Sequence, residues 1–304
     1  MTFPKIAGFY LLLHAHHRYA AGKIRNLCWA CTPLLISACA SIPTIEERSA
    51  LADSLAHAHA WHSEVIVGRE FDLMSYHPTK FSLDDKLTIY IEGDGLSWIG
   101  STQPSPDPTP RTPLALQLAL AQPSGNAAYL ARPCQFVRSS SCRQQDWTDA
   151  RFSLAAVEAT TAAIDILKSR FGATRLTLVG YSGGGAIAAL VAARRHDVEK
   201  LVTIAGNLDH RLWTNYHHIS PLTGSLNPAD EIERLAYISQ THLAGDKDRI
   251  VPAWLAASFA ERFPSGQQPD IQVIKDFDHH CCWSARWPEI WQHLNSTHQS
   301  ETQQ

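Results

Sequence analysis

The sequence lacks a strong charge of either sign. Its 304 residues carry 26 Lys and Arg against 29 Asp and Glu, which gives a formal net charge of −3, and no basic cluster stands out. A nucleic-acid partner is therefore not expected, because phosphate backbones are bound by concentrated positive charge. The sequence also lacks an internal repeat, so a repeat architecture is not expected either.

Long apolar runs are also missing. The longest candidate, Leu27–Ile36, follows two basic residues and is interrupted by a proline, so it is too short to favour a membrane-spanning helix. The sequence ISAC then ends at Cys39 and has the form of a bacterial lipobox. The amino end thus resembles a lipoprotein signal peptide over residues 1–38, in which Cys39 carries lipid and becomes the mature amino terminus.

The residue after Cys39 bears on where such a lipoprotein would be attached. Ala40 does not look like an inner-membrane retention signal, so we expect an outer-membrane lipoprotein that faces the periplasm. Residues 39–63 are expected to form a lipid-anchored tether or N-terminal segment, with helical character and Ala-rich spacing over residues 45–62. The leader is unusually long, and a later translation start would need an alternative start codon because no methionine lies between Met1 and Cys39.

A serine in the middle of the chain has the setting of a nucleophile. Arg175–Val179 predicts a buried parallel strand, and it runs through a G-x-S-x-G sequence into a helix of small residues. Gly180 and Gly184 leave room for a sharp turn that exposes Ser182. The amide of Gly183 has no partner within the helix, so it is a candidate donor to an oxyanion.

A serine hydroxyl needs a base and an acid that orients the base. Asp248 follows a segment that is strand-like up to Leu243 and Ala244, and it is the preferred acid, with Asp246 as the fallback. Another predicted strand, residues 270–276, leads to two histidines in tandem. His279 is the preferred base, since it follows the strand at the commoner interval, and His280 is the alternative. The chain order is Ser, Asp, His.

These three motifs, GYSGG, GDKDRIVP and DHHCCW, resemble those of α/β-hydrolases. The resemblance covers about Glu64–Leu294, which is taken as the enzyme domain, and residues 295–304 are expected to be a disordered tail. The resemblance implies an α/β fold with a mainly parallel sheet flanked by helices and a small cap or none. It also implies a Ser-His-Asp triad that hydrolyses acyl compounds through an acyl-enzyme, without a cofactor.

The second oxyanion donor is expected in the loop after an earlier strand. Lys86–Glu92 predicts that strand through its alternating apolar residues. Relatives usually carry His-Gly here, whereas this chain has Glu92 and Gly93. The amide of Asp94 is the preferred donor by position, and that of Gly95 is the alternative.

Four cysteines remain in the predicted enzyme domain. Cys134 and Cys142 bracket a short polar loop and are candidates for a disulfide. Cys281 and Cys282 are adjacent, so they either bond to each other or one of them pairs with Cys134 or Cys142. No metal site is predicted beside the tandem histidines, because thiolate and imidazole ligands normally come from separated turns.

The sequence therefore predicts a monomeric serine hydrolase with a small acyl substrate, and esters are the first expectation. The alternative activity with the same triad is that of a peptidase or amidase of the cell envelope, because the triad does not select the leaving group. A lipid-anchored binding protein without catalysis is the alternative of a different class. Specificity is expected to lie in Leu96–Pro113, a Pro-rich segment without periodicity after the oxyanion strand, and in Asn207–Ala229, which occupies the place where relatives of that family carry their cap.

Overall fold

An eight-stranded sheet organises the chain in the computed structural model, which describes residues 42–301. Its order is β1-β2-β4-β3-β5-β6-β7-β8, with antiparallel pairing at β1, β2 and β4 and parallel pairing from β4 to β8. The strands are β1 (Trp61–Ile66), β2 (Leu73–Pro78), β3 (Lys86–Ile91), β4 (Ala127–Leu130), β5 (Arg175–Tyr181), β6 (Val198–Ile204), β7 (Ser239–Gly245) and β8 (Asp270–Ile274). The loops that follow the parallel strands therefore meet at one edge of the sheet.

Helices cover both faces of this sheet. They are α1 (Ile45–Ala58), α2 (Leu114–Leu120), α3 (Leu154–Phe171), α4 (Gly183–Ala192), α5 (His210–Tyr216), α6 (Ile232–Leu235), α7 (Ala253–Ala260) and α8 (Trp283–Glu301). Successive side chains of β3 enter different cores: Ile89 packs in the core that includes α3 and α4, and Tyr90 in the core that includes α1, α2 and α8. This architecture confirms the predicted α/β fold.

The insertion between β6 and β7 is short. It contains α5, α6 and a single 3₁₀ turn (Pro228–Asp230), which fits the expected small cap. Within residues 42–301, no helix combines the length and apolarity that crossing a membrane would need.

The first helix belongs to the folded domain, which differs from the predicted tether over residues 39–63. Thr44 caps α1 through a reciprocal hydrogen-bond pair with Glu47, and Ala52 is buried in the second core. Arg48 is also buried and donates to the carbonyl of Thr109. Alanines bury little area each, so the sequence pattern alone did not distinguish a packed helix from a helical tether.

The carboxyl end also differs from prediction. Helix α8 continues to Glu301, whereas the sequence predicts a disordered tail from residue 295. The helix is held by Trp283, Trp287 and Trp291, which lie four residues apart and are buried against the sheet. The predicted signal peptide and Cys39 lie outside the described residues.

Candidate active site

Ser182 lies on the sharp turn between β5 and α4. Its backbone has φ 52° and ψ −120°, a conformation that residues with a side chain rarely adopt. A Cβ added at Gly180 would overlap the carbonyl of Gly184, and one added at Gly184 would overlap carbonyl oxygens at the end of β3. The turn therefore requires glycine at both positions and presents the serine side chain at the edge of the sheet.

Three side chains from separate loops form a hydrogen-bond relay at this edge. The Ser182 hydroxyl lies 3.1 Å from Nε2 of His279, and Nδ1 of His279 lies 2.8 Å from Oδ2 of Asp248. A carboxylate only accepts, so Nδ1 carries the proton and leaves Nε2 free to accept the proton of the serine. The structure thus brings together the residues preferred as nucleophile, base and acid.

Asp248 is fixed by its own turn. Its second oxygen, Oδ1, accepts hydrogen bonds of 2.8 Å from the amides of Ile250 and Val251. Its side chain is fully buried, so the carboxylate is held toward the imidazole rather than toward water. The fallback acid, Asp246, is exposed and accepts from the amide of Asp276 instead.

The second histidine points to a different partner. Nδ1 of His280 lies 2.9 Å from the hydroxyl of Tyr181, and the amide of His280 donates to Asp278. Burial, with a smaller contribution from the neighbouring His279, lowers the pKa of His280. His280 borders the cavity but is not bonded to Ser182 in the structure.

The candidate oxyanion donors lie side by side. Gly183 is the first residue of α4, and Asp94 follows β3 so closely that a Cβ added at Gly183 would overlap the Asp94 carboxylate. Among the described residues, no carbonyl accepts from the amide of Asp94 or of Gly95. Both amides therefore remain available as the second donor, and the alternative stays open.

The loop that contains Asp94 is held in place by side chains. Gln135 donates from Nε2 to the carbonyl of Gly93 at 2.9 Å, and Ser97 donates to the carbonyl of Asp94 at 2.8 Å. Gly95 has φ 63°, and a side chain there would collide with the carbonyl of Pro108. These contacts hold the loop in one position beside the start of α4.

Glu92, which stands where relatives carry histidine, lies beneath this loop. Its side chain is buried, and Oε1 accepts from the amide of Gly93 at 2.9 Å. Burial raises the pKa of Glu92 to about 7 from its ordinary value of 4.5. The group is consequently a carboxylic acid in mildly acidic solution and is only partly ionised at neutral pH.

Replacing Glu92 with glutamine is expected to remove a pH dependence of stability. Between about pH 4.5 and 7 the folded protein keeps a proton on Glu92 that the unfolded chain releases, so the free energy of unfolding falls as pH rises through that window. The fall is about 3 kcal/mol for this group. Urea denaturation of wild type and Glu92→Gln across the window checks it. A difference between the two proteins that does not change with pH would contradict it.

A cavity of about 580 Å³ opens above Ser182 and His279. Both predicted specificity segments contribute to its wall, through Trp98 from the loop after β3 and Trp213 from α5. Its apolar lining residues include Leu96, Trp98, Pro110, Leu114, Trp213, Ile250 and Val251, and its polar ones include Arg111, Gln117, Arg151 and Asn207. A mixed lining of this kind suits a small organic molecule with an apolar part.

Two disulfides border the site. Cys134 bonds to Cys142, and Cys281 bonds to its neighbour Cys282, so neither of the alternative cross-pairings occurs. The first lies next to Gln135, which holds the loop of Asp94. The second directly follows the tandem histidines. Within residues 42–301, no group of three or more His, Cys, Asp and Glu side chains is arranged to hold a metal ion.

Sequence reasoning missed three polar residues at the site. Arg132 and Arg151 donate hydrogen bonds to the Asp94 carboxylate. Asn207 borders the cavity, and its backbone amide donates to the carbonyl of Ser182. Arg132 follows β4 at the same edge of the sheet as Asp94, a placement that the strand order would have shown. Arg151 lies in a segment without a regular element, so the sequence held no signal for it.

The fold is shared with solved hydrolase structures. The esterase Est1E from Butyrivibrio proteoclasticus superposes with a TM-score of 0.54 at 14% identity, over 77% of this chain and 98% of that one. An esterase from Pyrococcus furiosus gives 0.53 at 13%, over 77% and 89%. A putative α/β-hydrolase from Agrobacterium tumefaciens gives 0.54 at 14%, over 79% and 97%. At these identities the likeness establishes the α/β-hydrolase fold.

Sequence comparison adds no family to this result. No protein-family model matches the chain, and no curated protein matches it by sequence. The activity must therefore be argued from the site.

Proposed function

We propose that the protein is a serine hydrolase that cleaves carboxylic esters of small acyl groups. The observation that carries the proposal is the relay from Ser182 through His279 to Asp248 at the floor of an open cavity. A structural serine would not need a strained backbone, a bonded imidazole and a buried carboxylate together.

The reaction would proceed in two steps. His279 removes the proton of Ser182 as the oxygen attacks the ester carbonyl, and the imidazolium that forms is stabilised by Asp248. The amides of Gly183 and of Asp94 or Gly95 would bind the tetrahedral oxyanion. His279 then gives its proton to the leaving alcohol, and water, activated by the same imidazole, releases the acid from the acyl-enzyme.

Esters are preferred to amides as the substrate class for two reasons. Several neighbours of the same fold are described as esterases, among them a domain from Rhodothermus marinus with a TM-score of 0.52. Ester carbonyls are also more reactive toward a serine oxygen than amide carbonyls, because an alkoxide is a better leaving group than an amide anion and an ester has less resonance stabilisation to lose.

Labelling with a fluorophosphonate tests the proposal directly. The probe phosphonylates a serine only when a base activates it, so wild-type protein is expected to gain one adduct that maps to Ser182 by peptide mass spectrometry. Prior denaturation of the sample serves as the control and should abolish the adduct. A folded protein that gains no adduct and cleaves no p-nitrophenyl ester would support the alternative of a binding protein.

A further inference from the structure

A cluster of three charged side chains lies behind the candidate oxyanion loop. We name Arg132, Asp94 and Arg151 the Arg-Asp-Arg cluster. Arg132 donates to Oδ1 of Asp94 at 3.2 Å, and Arg151 donates to Oδ2 at 2.6 Å. Both arginines are buried, while Asp94 is one-fifth exposed. Each oxygen of the carboxylate thus has its own guanidinium.

The arginines are themselves held rigidly. Arg132 donates to the carbonyl of Arg151 and lies over the ring of Phe152, 5.2 Å from its centre. Arg151 donates from Nε to the carbonyl of Thr148 at 2.6 Å. Their positions are therefore set by the surrounding chain, and the Asp94 loop is fastened to them.

The cluster carries one net positive charge. Burial alone would raise the pKa of Asp94, but the charges of Arg151 and Arg132 outweigh it and hold the pKa below its ordinary value. Asp94 is therefore ionised, and two guanidinium groups face one carboxylate. The other carboxyl that acts on Arg132, Glu92, is only partly ionised near neutral pH because burial raises its pKa to about 7.

The net positive charge of the Arg-Asp-Arg cluster lies beside a candidate oxyanion donor. The Asp94 carboxylate touches the backbone of Gly183, whose amide is a candidate oxyanion donor. A carboxylate alone at this point would repel a second negative charge that forms on the substrate. Two buried arginines reverse the sign of the local charge, and buried fixed charges, which water screens only weakly, act strongly on a developing oxyanion.

We infer that Arg132 and Arg151 are positioning residues that support the oxyanion hole through their charge: with Asp94 neutralised, one net positive charge remains behind the oxyanion, and the reaction rate depends on that charge. The inference rests on the proposed esterase function and deepens it. It also explains how this chain tolerates an aspartate at a loop position beside the nucleophile.

Arg151→Met tests the charge, because it keeps much of the side-chain volume and reduces the net charge of the cluster to zero. With p-nitrophenyl butyrate we expect kcat to fall about tenfold while KM changes less than about twofold, since the charge acts on the transition state. Inhibition by phenylboronic acid, which adds to a serine oxygen as a tetrahedral anion, should weaken by a similar factor. Arg175→Met is the matched control, because Arg175 pairs with Asp85 at the opposite end of β5.

The double variant Arg151→Met with Asp94→Asn separates charge from fastening. It removes one charge of each sign, so the remaining Arg132 restores the net charge of wild type. We expect kcat to recover to within about threefold of wild type, whereas a purely structural role predicts a further loss because more hydrogen bonds are gone. Arg151→Gln, which is also neutral, replaces the methionine variant if that protein does not fold. Arg151→Lys keeps the charge and should stay within about threefold of wild type.

Three outcomes would overturn the inference. The first is an unchanged kcat in folded Arg151→Met, measured with an ester that wild type cleaves. This result would overturn the inference but not the proposed esterase function. The second is a double variant slower than the single one. The third is a fall in kcat/KM that comes from a higher KM and occurs only with esters that have an anionic acyl group. That result would mean that the cluster binds a negative charge on the substrate. A wild-type protein without esterase activity would overturn the proposed function as well.

Discussion

Ser182→Ala is expected to lower kcat/KM for a p-nitrophenyl ester by about 10⁵-fold, because the variant has no oxygen to form the acyl-enzyme. The fold should persist, since alanine keeps the Cβ and removes one hydroxyl group. We expect the melting temperature to change by less than about 3 °C, which is the size of shift that an ordinary surface substitution causes. Ester hydrolysis and thermal unfolding measured on the same preparation check both statements.

A second serine provides the control for this variant. Ser265 is exposed on the turn before β8, away from the cavity, and Ser265→Ala should match wild type in both measurements. Residual hydrolysis by Ser182→Ala at a tenth of the wild-type rate would contradict the assigned nucleophile. It would favour a water molecule activated directly by His279.

The tandem histidines are expected to differ by several orders of magnitude. His279→Ala should reduce kcat by about 10⁴-fold or more, because it removes the base and separates Asp248 from the serine. His280→Ala should reduce kcat less than about tenfold, since His280 bonds to Tyr181 and not to the nucleophile. Steady-state kinetics of the two variants in one assay gives the comparison.

Fluorophosphonate labelling extends this comparison to the activation step. Labelling should disappear in His279→Ala and persist in His280→Ala, because the probe requires a base at the serine. Equal losses in the two variants would show that the loop as a whole, rather than one imidazole, supports the reaction.

Local patterns predicted the parts of the site that lie in single loops. Each of these parts can be recognised from a few consecutive residues. They are the β-branched strand before Ser182, the glycines around that serine, and the loops that carry the aspartate and the histidine. Chain order then gave their roles, because a fold with a known strand order fixes which loops can meet. The choice of His279 over His280 depended on an interval of one residue, so the two could not be separated without geometry.

Contacts between segments that are distant in the chain could not be predicted from the sequence. Arg132 and Arg151 meet Asp94 across 38 and 57 residues, and no periodic pattern marks such a meeting. The packing of α1 was missed for a related reason, since apart from Arg48 its buried residues are alanines, which do not mark a core-facing side in the sequence. Long-range ion pairs and weakly apolar faces leave little trace in any short window of sequence.

The two disulfides carry a practical consequence for anyone who handles this protein. Both close short stretches of chain, Cys134–Cys142 and Cys281–Cys282, and both lie beside loops that shape the cavity rather than across the sheet. A thiol reductant added to a storage buffer would reduce both disulfides, while the sheet and its helices keep their packing. A sample can therefore look intact by its secondary structure and still differ at the cavity, so its oxidation state belongs with pH and temperature among the recorded conditions of an assay.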